Sequence, residues 1–115
     1  MVANEVAIGL TMPRAAIEIC RQRLAPAHFN RAVILAEAYT PFDAVAAGFL
    51  DRVVPEADLL PAATSMAKDF AGLDRHAHAT TKSLARAAAI EAIRGGLAAD
   101  REIFRTLSKA DSTVD

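Results

Sequence analysis

Two short segments are the only parts of this chain with the residue pattern of a β-strand. The first, residues 6–10, reads Val-Ala-Ile-Gly-Leu, and this alternation of bulky and small residues is typical of a strand with one apolar face. The second, residues 49–54, ends at Pro55. Two such strands do not form a stable sheet by themselves, because stability needs three or more strands or a packing partner. We therefore expect the first strand to join a sheet that this chain does not contain.

The rest of the sequence predicts helices separated by proline and glycine. An apolar stripe with the spacing of a helix face begins at Arg14, where Thr11 is the expected cap and Pro13 suits the first helical position. Gly95 and Gly96 are expected to end the longest helix. The predicted helices cover 14–24, 26–37, 41–47, 58–71 and 74–96, with a further turn or two over 98–107. Asp58 and Asp74 are the expected caps of the fourth and fifth helices, and Gly72 is the expected stop of the fourth.

The clearest local signal surrounds the third of these helices. Thr40, Pro41 and Asp43 form a capping box, with the cap residue, a proline in the first turn and an acid three residues after the cap. Gly48 then provides a left-handed stop. This pattern predicts a short helix with defined ends.

Charge and composition exclude several classes of protein. With 13 Lys+Arg against 14 Asp+Glu, the chain lacks the basic excess of a nucleic-acid-binding protein. Its 53% hydrophobic content is too high for a disordered tail. No apolar run approaches the roughly 18 residues of a membrane span. The single cysteine excludes an internal disulfide framework and fits a reducing compartment. We expect one small, cytoplasmic, mainly helical domain.

Two single residues are candidates for chemistry. Glu5 stands at the entrance of the first predicted strand, where a carboxylate in a dry pocket is suited to proton transfer. A solvated acid at a strand end is the alternative. Cys20 falls on the apolar stripe of the first helix, so a packed core thiol is favoured over a nucleophile.

The remaining polar candidates lie near the start of the fifth predicted helix. His76 and His78 have a spacing that can bind metal, but on a helix they point apart and no third ligand lies nearby, so no metal site is predicted. Lys82, Arg86 and Arg94 share one flank of the helix. This flank is either a solvated face or a contact for a phosphate-bearing ligand.

The order of these features resembles the second half of the crotonase (enoyl-CoA hydratase/isomerase) superfamily. The segment 40–55, Thr-Pro-Phe-Asp-Ala-Val-Ala-Ala-Gly-Phe-Leu-Asp-Arg-Val-Val-Pro, is similar to the family's capped helix that ends in Ala-x-x-x-Gly-Leu-Val before a Val-rich strand. Residues 4–10 resemble its Pro-Glu-x-x-x-Gly-Leu strand, and Thr80-Thr81-Lys82 its Ala-Lys helix. The resemblance covers roughly residues 3–107.

This resemblance implies an α+β protein by content, mainly helical, that forms the C-terminal part of a ClpP/crotonase-like ββα fold. Residues 1–12 would hold the last strand of a truncated core, and residues 13–115 a helical region of the kind used in trimer assembly. The implied partners are an acyl-CoA thioester and further copies of the protein, in a trimer or hexamer. No cofactor, metal, nucleic acid or membrane is implied.

The implied reaction is that of an enoyl-CoA hydratase of fatty acid metabolism, which adds water to a 2-enoyl-CoA. In the family, two backbone N–H groups stabilise the thioester oxygen and glutamates move the protons. Glu5 occupies the position of the second glutamate. Met12 and Pro13 are the implied substrate contacts, where the family often has Pro-Gly-x-Gly-Gly. Because the half with the oxyanion hole is missing, we expect the chain to be inactive alone. There are two alternatives to a hydratase fragment. One is a fragment of an enoyl-CoA isomerase, and the other is a helical assembly module that pairs with a complete crotonase subunit.

Overall fold

The structure, a computed structural model, describes residues 1–111 as a chain of helices. Over these residues there is no β-strand, and the helical elements are two 3₁₀ turns and five α-helices. The 3₁₀ turns are Val6–Ile8 and Glu56–Asp58. The α-helices are α1 (Arg14–Arg23), α2 (Pro26–Val33), α3 (Pro41–Ala47), α4 (Leu59–Ala71) and α5 (Arg75–Asp111). The prediction of a mainly helical chain is confirmed.

Both predicted strands are wrong. Residues 6–10 form a tight turn, in which Gly9 has a φ of 77° and the Leu10 N–H donates to the Glu5 carbonyl oxygen at 2.8 Å. Residues 49–54 have irregular backbone. A strand needs the N–H and C=O groups of a neighbouring strand, and the described part of the chain provides none for either segment. The first segment therefore bonds its amides within its own turn.

The ends of α3 and the start of α5 form as predicted, whereas the Asp58 side chain, the expected cap of α4, makes no hydrogen bond there. The Thr40 hydroxyl accepts a hydrogen bond from the Asp43 N–H at 3.2 Å, and Gly48 ends α3 with a φ of 100°. The carboxylate of Asp74 caps α5 by accepting from the Ala77 N–H at 2.7 Å. Short-range side-chain caps are therefore sufficient to define these ends.

The start of α1 differs from the prediction. Pro13, not Thr11, is the cap residue, and no nearby side chain caps the helix. The free N–H groups of Arg14 and Ala15 instead donate to the carboxylate of Asp100, far along the sequence in α5. A tertiary contact has replaced the expected local cap.

The prediction that Gly95 and Gly96 end a helix is also wrong. α5 continues through both glycines to Asp111. A Cβ atom at position 96 would lie only 2.8 Å from the Ala15 nitrogen, so Gly96 lets α5 approach the start of α1 closely. Each glycine costs a helix about 1 kcal/mol relative to alanine. At Gly96 this cost is offset by packing against α1.

The core lies where α1, α2 and α3 meet. Its buried residues are Leu24, Ala32, Tyr39, Ala44 and Ala47, with Cys20, Phe49 and Leu50 packed against them. Gly48 completes the junction, because a Cβ atom there would lie 2.7 Å from the Arg23 carbonyl oxygen. The core is small for a chain of this length, and most of its side chains are alanines.

Much of the surface that a compact protein would bury is open. The accessible area is 8960 Å², whereas a compact monomer of this mass exposes about 6,000 Å². The radius of gyration is 18.5 Å, against about 13 Å for a compact chain of this length. Residues 71–88 are all exposed. Exposed large apolar side chains include Val6, Ile8, Leu10, Leu35, Phe42, Leu60, Phe70, Leu84 and Phe104.

α5 accounts for much of this extended shape. It has 37 residues, which corresponds to about 55 Å of helix, and the longest dimension of the chain is 60 Å. Its middle part, between Arg86 and Asp100, packs against α1, whereas residues 75–85 are exposed. Within residues 1–111, no helix has both the length and the apolar character that crossing a membrane requires.

Candidate functional site

Glu5 stands at the start of the turn that precedes α1. Its carbonyl oxygen accepts hydrogen bonds from the N–H groups of Ile8, at 3.1 Å, and Leu10, at 2.8 Å. These two bonds close the backbone around Glu5 and fix the direction in which its side chain leaves the turn. The turn is closed by Gly9, whose positive φ is readily adopted only by glycine.

The carboxylate of Glu5 has an oxygen that is buried without a hydrogen bond. The residue as a whole is half-buried, and Oε2 finds no partner within residues 1–111. Leaving a buried polar atom unpaired costs about 1–3 kcal/mol, and Oε2 of Glu37 is the other side-chain oxygen in this state among the described residues. Among the predicted site residues, Glu5 is therefore the one whose surroundings suit exchange of a proton with another molecule.

The thiol of Cys20 lies within the electrostatic influence of Glu5. Burial raises the pKa of Cys20, and the negative charge of Glu5 raises it further. The thiol therefore remains protonated at neutral pH and is a poor nucleophile. The prediction that Cys20 packs in the core is confirmed, since it contacts the buried cluster around Leu24.

The two predicted substrate contacts follow Glu5 by a few residues and have different surroundings. Met12 is buried, with 8% of its surface exposed, whereas Pro13, the cap residue of α1, is exposed. Glu5, Met12 and Pro13 thus lie on one continuous segment that leads into α1. Their assignment to substrate stays a prediction.

The start of α1 is attached to α5 by a bidentate contact. Oδ1 of Asp100 accepts from the Arg14 N–H at 2.9 Å, and Oδ2 accepts from the Ala15 N–H at 3.0 Å. The negative carboxylate is also favourable beside the positive end of the α1 dipole. The sequence alone does not indicate this contact, because 86 positions separate Arg14 from Asp100.

A second polar cluster surrounds Tyr39, at the edge of the core. Tyr39 is buried, with its hydroxyl 3.3 Å from Nδ1 of His28. Arg31 donates to Glu37 at 2.8 Å. The hydrogen bond from Arg31 lowers the pKa of Glu37, while burial raises the pKa of Tyr39 and the nearby Glu37 raises it further. These side chains line a cavity of about 210 Å³. No sequence pattern predicted this cluster.

The basic flank of α5 lines an open groove. His78, Lys82 and Arg86 face a depression of about 460 Å³ together with Asp74. Arg86 also donates to the side chain of Gln22 in α1 at 3.3 Å. Among the described residues, no three His, Cys, Asp or Glu side chains come together as metal ligands. The groove carries one acidic side chain, Asp74, and two basic ones, Lys82 and Arg86, whereas Arg94 lines a different depression together with Glu91.

Comparison with known proteins identifies relatives of the whole chain. A family model described as enoyl-CoA hydratase/isomerase matches residues 1–114. No curated protein matches the chain. Among solved structures, an enoyl-CoA hydratase from Mycobacterium marinum is 43% identical with a TM-score of 0.82. The match covers 87% of this chain and 44% of that one.

Two further solved structures have similar scores. A Mycobacterium tuberculosis protein, described as an enoyl-CoA isomerase in this structure and as a probable enoyl-CoA hydratase in another, is 43% identical with a TM-score of 0.83, and the match covers 87% of this chain and 44% of that one. An enoyl-CoA hydratase/isomerase family protein from Pseudomonas syringae is 41% identical with a TM-score of 0.83, at 86% and 43% coverage. The chain therefore spans less than half the length of these relatives.

Proposed function

Because this chain belongs to the enoyl-CoA hydratase/isomerase family, we propose that it is the C-terminal part of a crotonase-fold enzyme that acts on acyl-CoA thioesters. The match extends over residues 1–114, so it includes the turn of Glu5 and all five helices. The open surface supports the same proposal. Its excess over a compact monomer, about 3,000 Å², is more than one partner contributes to a standard protein interface.

We propose that residues 1–12 pack against the rest of the enzyme core. Val6, Ile8 and Leu10 are each about half exposed or more in the described chain, and they precede α1 on the segment that carries Glu5. Covering these side chains removes apolar surface from water and dries the surroundings of the Glu5 carboxylate. Residues 13–115 form the helical region in this proposal.

The reaction we propose is hydration of a 2-enoyl-CoA. The water oxygen bonds to the β-carbon, a proton goes to the α-carbon, and the thioester oxygen carries negative charge between these events. Glu5 exchanges one proton with the water or with the α-carbon. Its buried and unpaired Oε2 is the single observation that carries this assignment. The groups that stabilise the thioester oxygen come from the remainder of the enzyme. The reaction needs no metal or cofactor, because acid–base exchange and stabilisation of the oxyanion are sufficient.

A chimera tests this proposal. In it, the 115-residue chain replaces the matching segment of the Mycobacterium marinum enoyl-CoA hydratase. We expect the chimera to convert a 2-enoyl-CoA to the 3-hydroxyacyl-CoA, which is followed by loss of the enoyl thioester absorbance and by mass spectrometry of the product. The isolated chain serves as the control and is expected to be inactive. A folded chimera without activity on any enoyl-CoA would contradict the proposal.

Isomerisation is the second candidate reaction, because the Mycobacterium tuberculosis relative is described as an isomerase in one structure and as a probable hydratase in another. In an isomerase, the carboxylate moves a proton between two carbons and no water is added. The chimera is therefore also offered a 3-enoyl-CoA. If the chimera forms a 2-enoyl-CoA and no hydroxyacyl-CoA, the reaction is isomerisation and not hydration.

Assembly is the third part of the proposal. We propose a homo-oligomer, a trimer or hexamer, in the cytoplasm, where the exposed apolar residues of α4 and α5 contact further protein. Leu60, Phe70 and Leu84 are each more than half exposed. Light scattering of the chimera measures its mass. A monomer would contradict this part of the proposal and also the alternative of an assembly module.

A further inference from the structure

The bidentate contact of Asp100 joins the far end of the chain to the segment that carries Glu5. Both carboxylate oxygens are used, each by one of the N–H groups at the first turn of α1. Most helices receive such a cap from the residue that precedes them. In α1 the cap residue is Pro13, whose side chain makes no hydrogen bond, so the distant Asp100 takes over this function.

The approach of the two helices is built into α5. Gly96 lies one turn before Asp100, on the same face of the helix. A Cβ atom at position 96 would lie 2.8 Å from the Ala15 nitrogen and 3.0 Å from its Cα atom. Gly96 is buried and Ala15 has 8% exposure. A larger residue at position 96 would therefore move Asp100 away from the N–H groups that it binds.

The connection to Glu5 is short. Two residues, Thr11 and Met12, separate Leu10 from Pro13, and the Leu10 N–H bonds to the Glu5 carbonyl oxygen at 2.8 Å. The proline ring restricts the backbone at Pro13, where φ is −57°. Fixing the start of α1 therefore also limits where the turn of Glu5 can lie.

We propose that Asp100 is a positioning residue, which holds the start of α1 and with it the turn that carries the Glu5 carboxylate. This inference rests on the proposed function, because the position of Glu5 matters for catalysis only if Glu5 transfers a proton. Whether Asp100 positions Glu5 can be tested without an enzyme assay, because the Glu5 charge acts on the Cys20 thiol and the thiol can be titrated.

The pH dependence of Cys20 alkylation reports the burial of the thiol and the charge of Glu5, and the Glu5→Gln variant separates the two contributions. In the 115-residue chain, the wild-type pKa is raised by burial and by Glu5. If Asp100 positions Glu5, Asp100→Ala lowers the alkylation pKa towards that of Glu5→Gln. The double variant then shows no further decrease. We expect alkylation at neutral pH to be roughly threefold faster or more in each single variant.

Two controls separate positioning from loss of structure. Asp51→Ala removes a carboxylate whose exposed side chain pairs with Arg23, and it is expected to leave the Cys20 profile unchanged. Asp100→Asn keeps the shape of the side chain and one acceptor oxygen. It should give an intermediate pKa with wild-type helix content by circular dichroism. If Asp100→Ala fails to fold, Asp100→Asn decides the outcome. A wild-type Cys20 profile in the folded variants would overturn the proposal.

The chimera provides the catalytic readout. We expect Asp100→Ala to lower kcat about tenfold or more with little change in KM, because substrate binding is retained while the proton-transfer group is misplaced. Asp100→Asn should recover part of kcat. An unchanged kcat in the presence of a shifted Cys20 profile would overturn the catalytic part of the proposal. An inactive wild-type chimera would instead refute the proposed function, and the Cys20 profile would still decide whether Asp100 positions Glu5.

Discussion

The two neighbouring glycines of α5 provide a sharp test of how α5 and α1 are joined. Gly95 has open space where a Cβ atom would be placed, whereas at Gly96 a Cβ atom would meet the backbone of Arg14 and Ala15 at 2.8–3.0 Å. Both residues lie inside a helix, so replacement by alanine gives each the same gain in helix propensity, about 1 kcal/mol. The difference between the two variants therefore measures the tertiary contact alone.

We expect Gly95→Ala to stabilise the chain by about 1 kcal/mol, since nothing opposes the gain in helix propensity. In Gly96→Ala, the new methyl group must move backbone atoms, which typically costs about 1–3 kcal/mol. The same movement lengthens the two Asp100 hydrogen bonds, each of which contributes about 1 kcal/mol. The net effect is a loss of about 2 kcal/mol, so the two variants should differ by about 3 kcal/mol.

Urea unfolding followed by far-ultraviolet circular dichroism measures both free energies of unfolding. The unfolding midpoint should rise in Gly95→Ala and fall in Gly96→Ala, relative to the wild type. Amide hydrogen exchange provides a local readout, because the Arg14 and Ala15 amides should lose protection only in the second variant. If Gly96→Ala is as stable as Gly95→Ala and keeps these amides protected, α5 does not approach α1 as described.

Three other perturbations have defined expectations. Glu5→Gln removes the negative charge that acts on Cys20, so the thiol pKa falls and alkylation at neutral pH becomes faster. An unchanged rate would show that the Glu5 charge does not act on the thiol. Thr40→Ala removes the cap of α3 and should cost about 1 kcal/mol in urea unfolding, whereas Thr40→Ser should cost little. Arg31 holds the pKa of Glu37 below its ordinary value. The pair therefore contributes fully to the free energy of unfolding at pH values above the ordinary carboxyl pKa, and this contribution is lost as the pH falls through the lowered pKa of Glu37. Arg31→Met should raise the pKa of Glu37 in a carboxyl NMR titration. An unchanged pKa would show that Arg31 is not the cause of the lowered value.

Structure that depends on neighbouring residues could be predicted from the sequence. The ends of α3 follow from Thr40 and Gly48, whose cap geometries need only a few adjacent residues. The predicted range of α4, 58–71, agrees with the observed Leu59–Ala71, although the Asp58 side chain makes no capping hydrogen bond. In these segments the local hydrogen bonds and the helix propensity favour the same structure, so no tertiary contact is needed to decide it.

Structure that depends on distant contacts could not be predicted. The Gly95–Gly96 pair has the pattern of a helix end, yet Gly96 is the point of closest approach to Ala15. Residues 6–10 have a strand pattern, but strand pairing needs a neighbouring strand that the described residues do not provide. In both cases the local preference is weak and the surroundings determine the outcome.

The candidate site was predicted in part. Glu5 was identified from its place before a short apolar segment and from the resemblance to the family, and the buried oxygen of its carboxylate supports that choice. Asp100 and the cluster of Tyr39 with His28 were not predicted. Each depends on side chains from separate helices or loops, and no spacing in the sequence shows that they meet.

The most direct test of the central claim is the rate of enoyl-CoA hydration by the chimera with and without the Glu5 carboxylate. Glu5→Gln keeps the size of the side chain and removes its ability to transfer a proton. We expect kcat to fall about a hundredfold or more, while Glu18→Gln, which changes a glutamate paired with Arg21 on α1, leaves kcat near the wild-type value. Equal rates for the wild type and Glu5→Gln would contradict the assignment of proton transfer to Glu5.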